Sequence, residues 1–265
     1  MMTRPNRLAS LLLAAWLPAC TLTQQAASDA DRPQVQPRGA QVLASTLEDS
    51  GEMATALAVY ESAAATGDAA AAVQLGEAYL RSGDGIGAER AFRLALEREP
   101  NNGPAQLGLG SAALRRGEID AALASLTKAA PIVDSATSYN RLGIALTLAG
   151  QAPEAVGAFE KSHSRAADDL DIAANLALAE ALAGRKEQAI ERIRGVVRSE
   201  SAKATHRRTL ALVLALSGAG AEAQSLVQTN VPVTERPAFL RRLRTLEAAG
   251  DARARARIVG TILAG

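Results

Sequence analysis

The sequence has little of what most enzyme chemistry is built from. Cysteine occurs once, at Cys20, so no internal disulfide can form. Histidine occurs only at His163 and His206, neither in HExxH nor in another metal-ligand spacing. Aromatic residues make up 3% of the chain, too few to offer stacking platforms for nucleobases. A net charge of +1 with interspersed signs gives no strong field toward nucleic acid or an acidic substrate. No GxxxxGK[ST] loop and no GxSxG elbow is present, and no strand pattern precedes Gly83, Gly85 and Gly87 to make them a phosphate cradle. Without an ensemble of acid, base and nucleophile, the expectation is a non-enzyme that takes no cofactor, metal, nucleic acid or small-molecule substrate.

What the chain does have is one stretch copied along its length. Residues 75–100, LGEAYLRSGDGIGAERAFRLALEREP, carry Leu75-Gly76, Tyr79 one turn on, a break at Gly83, then Ala88, Phe92 and Ala95 at helical spacing, and a closing Pro100. Gly76 and Ala88 are small where two helices cross, Leu75, Tyr79, Phe92 and Ala95 fill the seam, and Gly83 supplies a turn needing positive φ. The turn glycine recurs at Gly51, Gly83, Gly117, Gly150, Gly184, Gly218 and Gly250, in steps of 32, 34, 33, 34, 34 and 32 residues. Small residues follow at Ala56, Ala88, Ala122, Ala155, Ala189 and Ala223, each with a larger apolar residue four places on: Tyr60, Phe92, Leu126, Phe159, Ile193 and Val227. This order resembles the tetratricopeptide (TPR) repeat. The resemblance implies an all-α fold, a right-handed superhelical TPR solenoid of helix-turn-helix repeats, in which one unit buries too little apolar surface to stand alone.

Residues 40–230 accordingly read as five to six repeats. Leu43 and Leu47 open the first; Pro131 comes early in the third and predicts an irregular link to the fourth. The fifth and sixth, NLALAEALAGRKEQA and TLALVLALSGAGAEA, have Ala177 and Ala211 in place of the glycine after leucine. Asp168 and Asp169 read as caps of the next helix. Beyond Pro232 and Pro237, residues 231–265 read as two capping helices separated at Ala249-Gly250-Asp251, with Arg241, Arg242, Arg244, Arg253, Arg255 and Arg257 on their exposed faces. Those arginines are either a polar cap that closes the solenoid or a basic docking surface for a partner or anionic lipid.

Residues 1–20 form a targeting segment: Arg4 and Arg7 precede a ten-residue apolar run at 8–17, too short to span a bilayer. Leu17-Pro18-Ala19-Cys20 resembles the bacterial lipobox, which implies that Cys20 carries the acyl chains, palmitate among them. Thr21, rather than Asp, follows the cysteine and points to the outer membrane. An ordinary secretory signal cut near Ala19 or Ala26, with Cys20 incidental, is the alternative. Residues 21–39, rich in Gln, Ser, Asp and Pro, read as a flexible tether. The expected location is the bacterial cell envelope, as an outer-membrane lipoprotein facing the periplasm.

In TPR arrays the first helix of each pair lines a concave face where partner segments lie. Register places Glu77, Leu80 and Arg81 there in the second repeat, and Ser111, Leu114 and Arg115 in the third. Ile144 and Leu148, Leu178 and Leu182, and Leu212 and Leu216 follow. The face should change from mixed basic to apolar, and its leucines are either a binding surface or are covered by the C-terminal helices folding back. An amphipathic helix or apolar strand fits such a groove better than a C-terminal carboxylate.

Lipobox, tether, repeats and the segments at 175–244, including EAQSLVQTNVP and the arginine-rich tail, resemble the TadD-like TPR lipoproteins of the Tad (Flp) pilus assembly system. Membership would imply help to an outer-membrane secretin, or to another pilus assembly component, as the protein partner. A type IV pilus pilotin, a general cell-envelope assembly scaffold and a hydrolase regulator remain alternatives.

Overall fold

The computed structural model describes residues 37–263. The targeting segment, Cys20 and nearly all of the expected tether lie outside the described residues; Pro37 to Gly39 already belong to the first helix. Fourteen helices and no strand occur among the described residues, paired as α1 (Pro37–Asp49) with α2 (Met53–Ala65), α3 (Ala69–Ser82) with α4 (Gly85–Arg98), and α5 (Gly103–Arg116) with α6 (Ile119–Val133). Next come α7 (Ala136–Leu148) with α8 (Ala152–Arg165), α9 (Leu170–Leu182) with α10 (Lys186–Arg198), and α11 (Ala204–Leu216) with α12 (Gly220–Asn230). The closing helices are α13 (Arg236–Ala248) and α14 (Ala252–Leu263). This is an all-α TPR solenoid.

Each of the six pairs turns on a left-handed glycine, with φ between +74° and +89° at Gly51, Gly83, Gly117, Gly150, Gly184 and Gly218. Gly250 is not among them; Ala249, extended at φ −68° and ψ 123°, ends α13 instead. The seam within a pair is a close approach of glycine to a large side chain. A Cβ on Gly76 would stand 2.6 Å from the Phe92 ring, one on Gly110 2.5 Å from Leu126, and one on Gly143 2.7 Å from Phe159. Only a bare backbone leaves room there, so these glycines fix the crossing points.

Side-chain caps set where several helices start. Asp68, Asp84, Asn102, Ser135 and Asp169 each accept from backbone N–H groups of the first turn, satisfying donors that the helix itself cannot. After Pro131 α6 runs two residues further and stops at Asp134, a non-glycine residue at φ +48°. The link to α7 is therefore short. Leu43, expected in the first seam, is largely exposed because no earlier pair packs on α1 among the described residues.

At the far end, α13 packs on α11 and α12 as another first helix would, burying Phe239, Leu243 and Leu246. α14 then turns back and packs on α7 and α9.

Candidate partner-binding groove

First helices approach one another along the array, α1 to α3, α3 to α5, α5 to α7, α7 to α9 and α9 to α11, so together they line one face. Of the residues that register puts there, Glu77, Arg81 and Arg115 are exposed, and Leu80, Leu114, Ile144, Leu148, Leu182 and Leu216 are half-buried. Ser111, Leu178 and Leu212 are buried. Ser111, Leu178 and Leu212 are therefore not open groove surface, and of the two alternatives for the leucines these two take the covered one, at 3% and 0% exposed. Leu178 lies beneath Val259 of α14, and Leu212 is enclosed in the cluster that includes Phe239, Leu243 and Leu246 of α13.

The half formed by α3, α5 and the Arg141 end of α7 is polar, and α14 packs on α7 and α9 beside it. Arg81 reaches the Glu48 carboxylate of α1 with two hydrogen bonds, at 3.1 and 2.8 Å, which hold its guanidinium pKa above the ordinary value. Arg115 donates to the Leu80 carbonyl at the end of α3, 2.7 Å away. Arg141 of α7 donates to the Ser111 hydroxyl of α5, and Ser111 donates in turn to the Leu107 carbonyl. Burial, and then the nearby Arg115 charge, push the Arg141 pKa down, while Glu77 opposes them. Among the described residues neither Arg115 nor Arg141 forms an ion pair with a carboxylate. Sequence reasoning missed Arg141, as it missed Asn140 and Asn175, whose amides pair at 3.1 Å between α7 and α9. The 35-residue spacing of the two asparagines was the available signal.

The other half, α7 with α9, is apolar and lies under α14. A Cβ built on Gly150 would stand 2.9 Å from the Arg253 backbone, and one on Gly260 2.7 Å from Leu148. Between Ile144, Thr147, Leu148, Phe159, Asn175, Leu178 and Val259 an apolar cleft of about 40 Å³ remains.

Elsewhere, polar clusters have structural duties. The Gly83, Gly85, Gly87 turn offers no anion cradle, because Asp84 Oδ1 already accepts from the Ile86 and Gly87 amides. His206 is buried, with Nδ1 accepting from the Lys203 amide and Nε2 2.8 Å from Asp171 Oδ1; Lys203 Nζ sits 2.7 Å from the other carboxylate oxygen. Lys203 first, and then His206, hold the Asp171 carboxyl below the ordinary carboxylate range. That clasp ties the start of α9 to the start of α11. Among the described residues no three His, Cys, Asp or Glu side chains group closely enough to hold a metal ion, and no helix is long and apolar enough to cross a membrane.

No family model matches the sequence, and no curated protein matches it. Solved structures do match in fold. PilW, a widely conserved type IV pilus biogenesis factor, is 20% identical with a TM-score of 0.62, the match covering 81% of this chain and all of PilW. Pseudomonas aeruginosa pilF is 15% identical, with a TM-score of 0.62 over 77% of this chain and 96% of its own. YrrB, described as a TPR protein with an unusual peptide-binding site, is 21% identical, with a TM-score of 0.52 over 63% and 87% of the two chains. At these identities the similarity establishes the TPR fold.

Proposed function

We propose that the protein is an adaptor that holds a segment of another polypeptide along its first helices, without performing a reaction. The observation that carries this reading is the pair Arg115 and Arg141, two guanidinium groups side by side on the concave face, neither spent on a carboxylate. Guanidinium groups with no carboxylate in hydrogen-bond contact, in a partly desolvated groove, favour an incoming carboxylate. An acidic stretch of a partner therefore fits over α3, α5 and α7.

The lipobox-like sequence supports anchoring of the chain at Cys20 to the outer membrane, with the repeats facing the periplasm. The resemblance to the Tad (Flp) lipoproteins supports an outer-membrane secretin as the partner and secretin assembly as the task. A second reading, service to a type IV pilus, is favoured by the fold shared with PilW and pilF.

The test is affinity purification of the full chain from its own envelope, probed for each secretin, alongside secretin multimers in a deletion strain. Co-purification that Arg115→Glu with Arg141→Glu abolishes supports the adaptor reading, and the secretin recovered distinguishes the two machines. Normal multimers in the deletion strain would sink the secretin assignment. Loss of fatty-acid labelling on Cys20→Ser is the expected result for the anchor, and undiminished labelling refutes it.

A further inference from the structure

α13 packs on the last pair, and α14 packs in turn on α13. Phe239, Leu243 and Leu246 of α13 are buried against the last pair, which is what a cap has to supply. α14 keeps contact with α13 and also reaches back to α7 and α9. As far as Gly260, Ala256 and Val259 are fully buried and Ile258 is half-buried. Positions 256, 259 and 260 fall on one helical face, and Gly260 lets that face close onto Leu148.

The fit beneath α14 is also incomplete, since the cleft of about 40 Å³ beside Val259 is bounded by Ile144, Leu148, Phe159 and Leu178. Near its start, Asp251 Oδ1 accepts from the Ala254 amide at 2.7 Å, and Arg255 donates to the Ala249 carbonyl at 2.9 Å. At 12 residues it has about the length at which an isolated helix becomes marginal in water.

Resting on the adaptor reading above, we infer that α14 is an internal ligand of the groove. It occupies, in the free protein, the place of a partner's amphipathic helix. That partner helix presents small or β-branched residues at i, i+3 and i+4, with a bulkier apolar side chain where α14 has Val259, and it displaces α14 on binding.

The probes are fluorescent peptides of residues 252–263, one native, one with Val259→Leu and one of scrambled order, titrated onto the full chain in detergent. Ala256→Glu with Val259→Asp puts two carboxylates on the docking face and unseats α14. This variant should bind the native peptide about tenfold or more tighter than the unmodified chain does, because a groove that is mostly occupied lowers apparent affinity by its free fraction. The leucine peptide should bind tighter still, and the scrambled one not at all. Equal binding to both proteins overturns the proposal, as does no binding to a variant whose circular dichroism retains the remaining helices. Should the variant unfold more widely, hydrogen exchange on the unmodified chain decides. Amides of α14 exchanging about tenfold faster than those of α9 and α13 support a helix that leaves alone, and exchange of α13 and α14 as one unit refutes it. Peptide binding without any secretin co-purification would remove the secretin partner and leave this inference standing; the reverse result would do the opposite.

Discussion

Replacing Gly108 of α5 by alanine tests the packing register on which the groove depends. A Cβ there would stand 2.2 Å from Phe92 Cε1, 2.3 Å from Cζ and 2.7 Å from Cδ1, so to reach ordinary contact near 3.4 Å the ring has to retreat by about 1.2 Å. Retreat is blocked on the other side, where Gly76 approaches the same ring with only 2.6 Å of room for a Cβ. Alanine gains about 1 kcal/mol over glycine in a helix interior. Overpacking costs typically 1–3 kcal/mol, and a ring trapped between two backbones belongs toward the upper end. The expected net effect of Gly108→Ala is destabilisation of about 1–2 kcal/mol. Gly157 of α8 supplies the control, because nothing lies within 4 Å of a Cβ built on it; Gly157→Ala should gain close to the full ~1 kcal/mol. Urea melts followed by circular dichroism measure both, with unchanged m-values as the check that unfolding stays comparable. Adding Phe92→Leu to Gly108→Ala should recover part of the loss, a coupling expected only of residues in contact. Equal stability of the two alanine variants would show that Phe92 is not wedged between α3 and α5.

Three further outcomes follow from buried or paired groups. Arg192→Ala leaves the Glu180 carboxylate, 2% exposed and otherwise held by two hydrogen bonds of 3.0 and 2.9 Å, without its cation. The loss should be about 3 kcal/mol, visible as a fall in Tm on the order of 10 °C, and a shift within error would show that water reaches the carboxylate. Leu178→Asp should abolish cooperative melting of the C-terminal pairs, whereas Leu182→Asp, at a half-buried site, should leave a folded chain; native-like melting of the first would contradict the interior position of Leu178. Asp171, whose folded-state pKa is held below the ordinary 3.8, contributes stability above that value and loses it as pH falls through the lower folded one. Asp171→Asn should therefore cost under about 1 kcal/mol at neutral pH, with the difference from wild type vanishing at the acid end of a melt series; a difference constant with pH would refute the linkage.

Much of the scaffold was legible because its requirements are local. A turn that needs positive φ selects glycine, and six of the seven glycines that recur at repeat spacing adopt it at the pair turns, Gly250 being the exception. The small residue five or six places on is buried in each pair, Ala56, Ala88, Ala122, Ala155, Ala189 and Ala223 all being fully enclosed. Where sequence reading fell short, the deciding contact joins distant segments. The pattern ARARARIVGTIL announces a helix, but nothing in its period says that Gly260 meets Leu148 or that Arg253 meets Gly150. Leu178 and Leu212 match the groove register as well as Leu182 and Leu216 do, and only the return of α13 and α14 separates them. The irregular link expected after Pro131 is a two-residue connection in which Asp134, at φ +48°, ends α6.

The two halves of the concave face differ in what water does to them when no partner is bound. Arg81, Arg115 and Glu77 are well hydrated, so the polar half over α3 and α5 needs no cover in the free protein. Ile144, Leu148, Leu178 and Leu182, stripped of α14, would form a contiguous apolar patch of the kind that monomeric proteins rarely leave open. The polar half stays open by its own hydration, and the apolar half is closed by the chain's last helix. Under the proposed adaptor reading, an occupant of the whole groove then needs two chemistries in succession, acidic over the arginines and apolar-helical over α7 and α9. Salt should act chiefly on how fast such a partner arrives, through the arginines, while substitutions in α14 should change how much of the protein is ready to receive it.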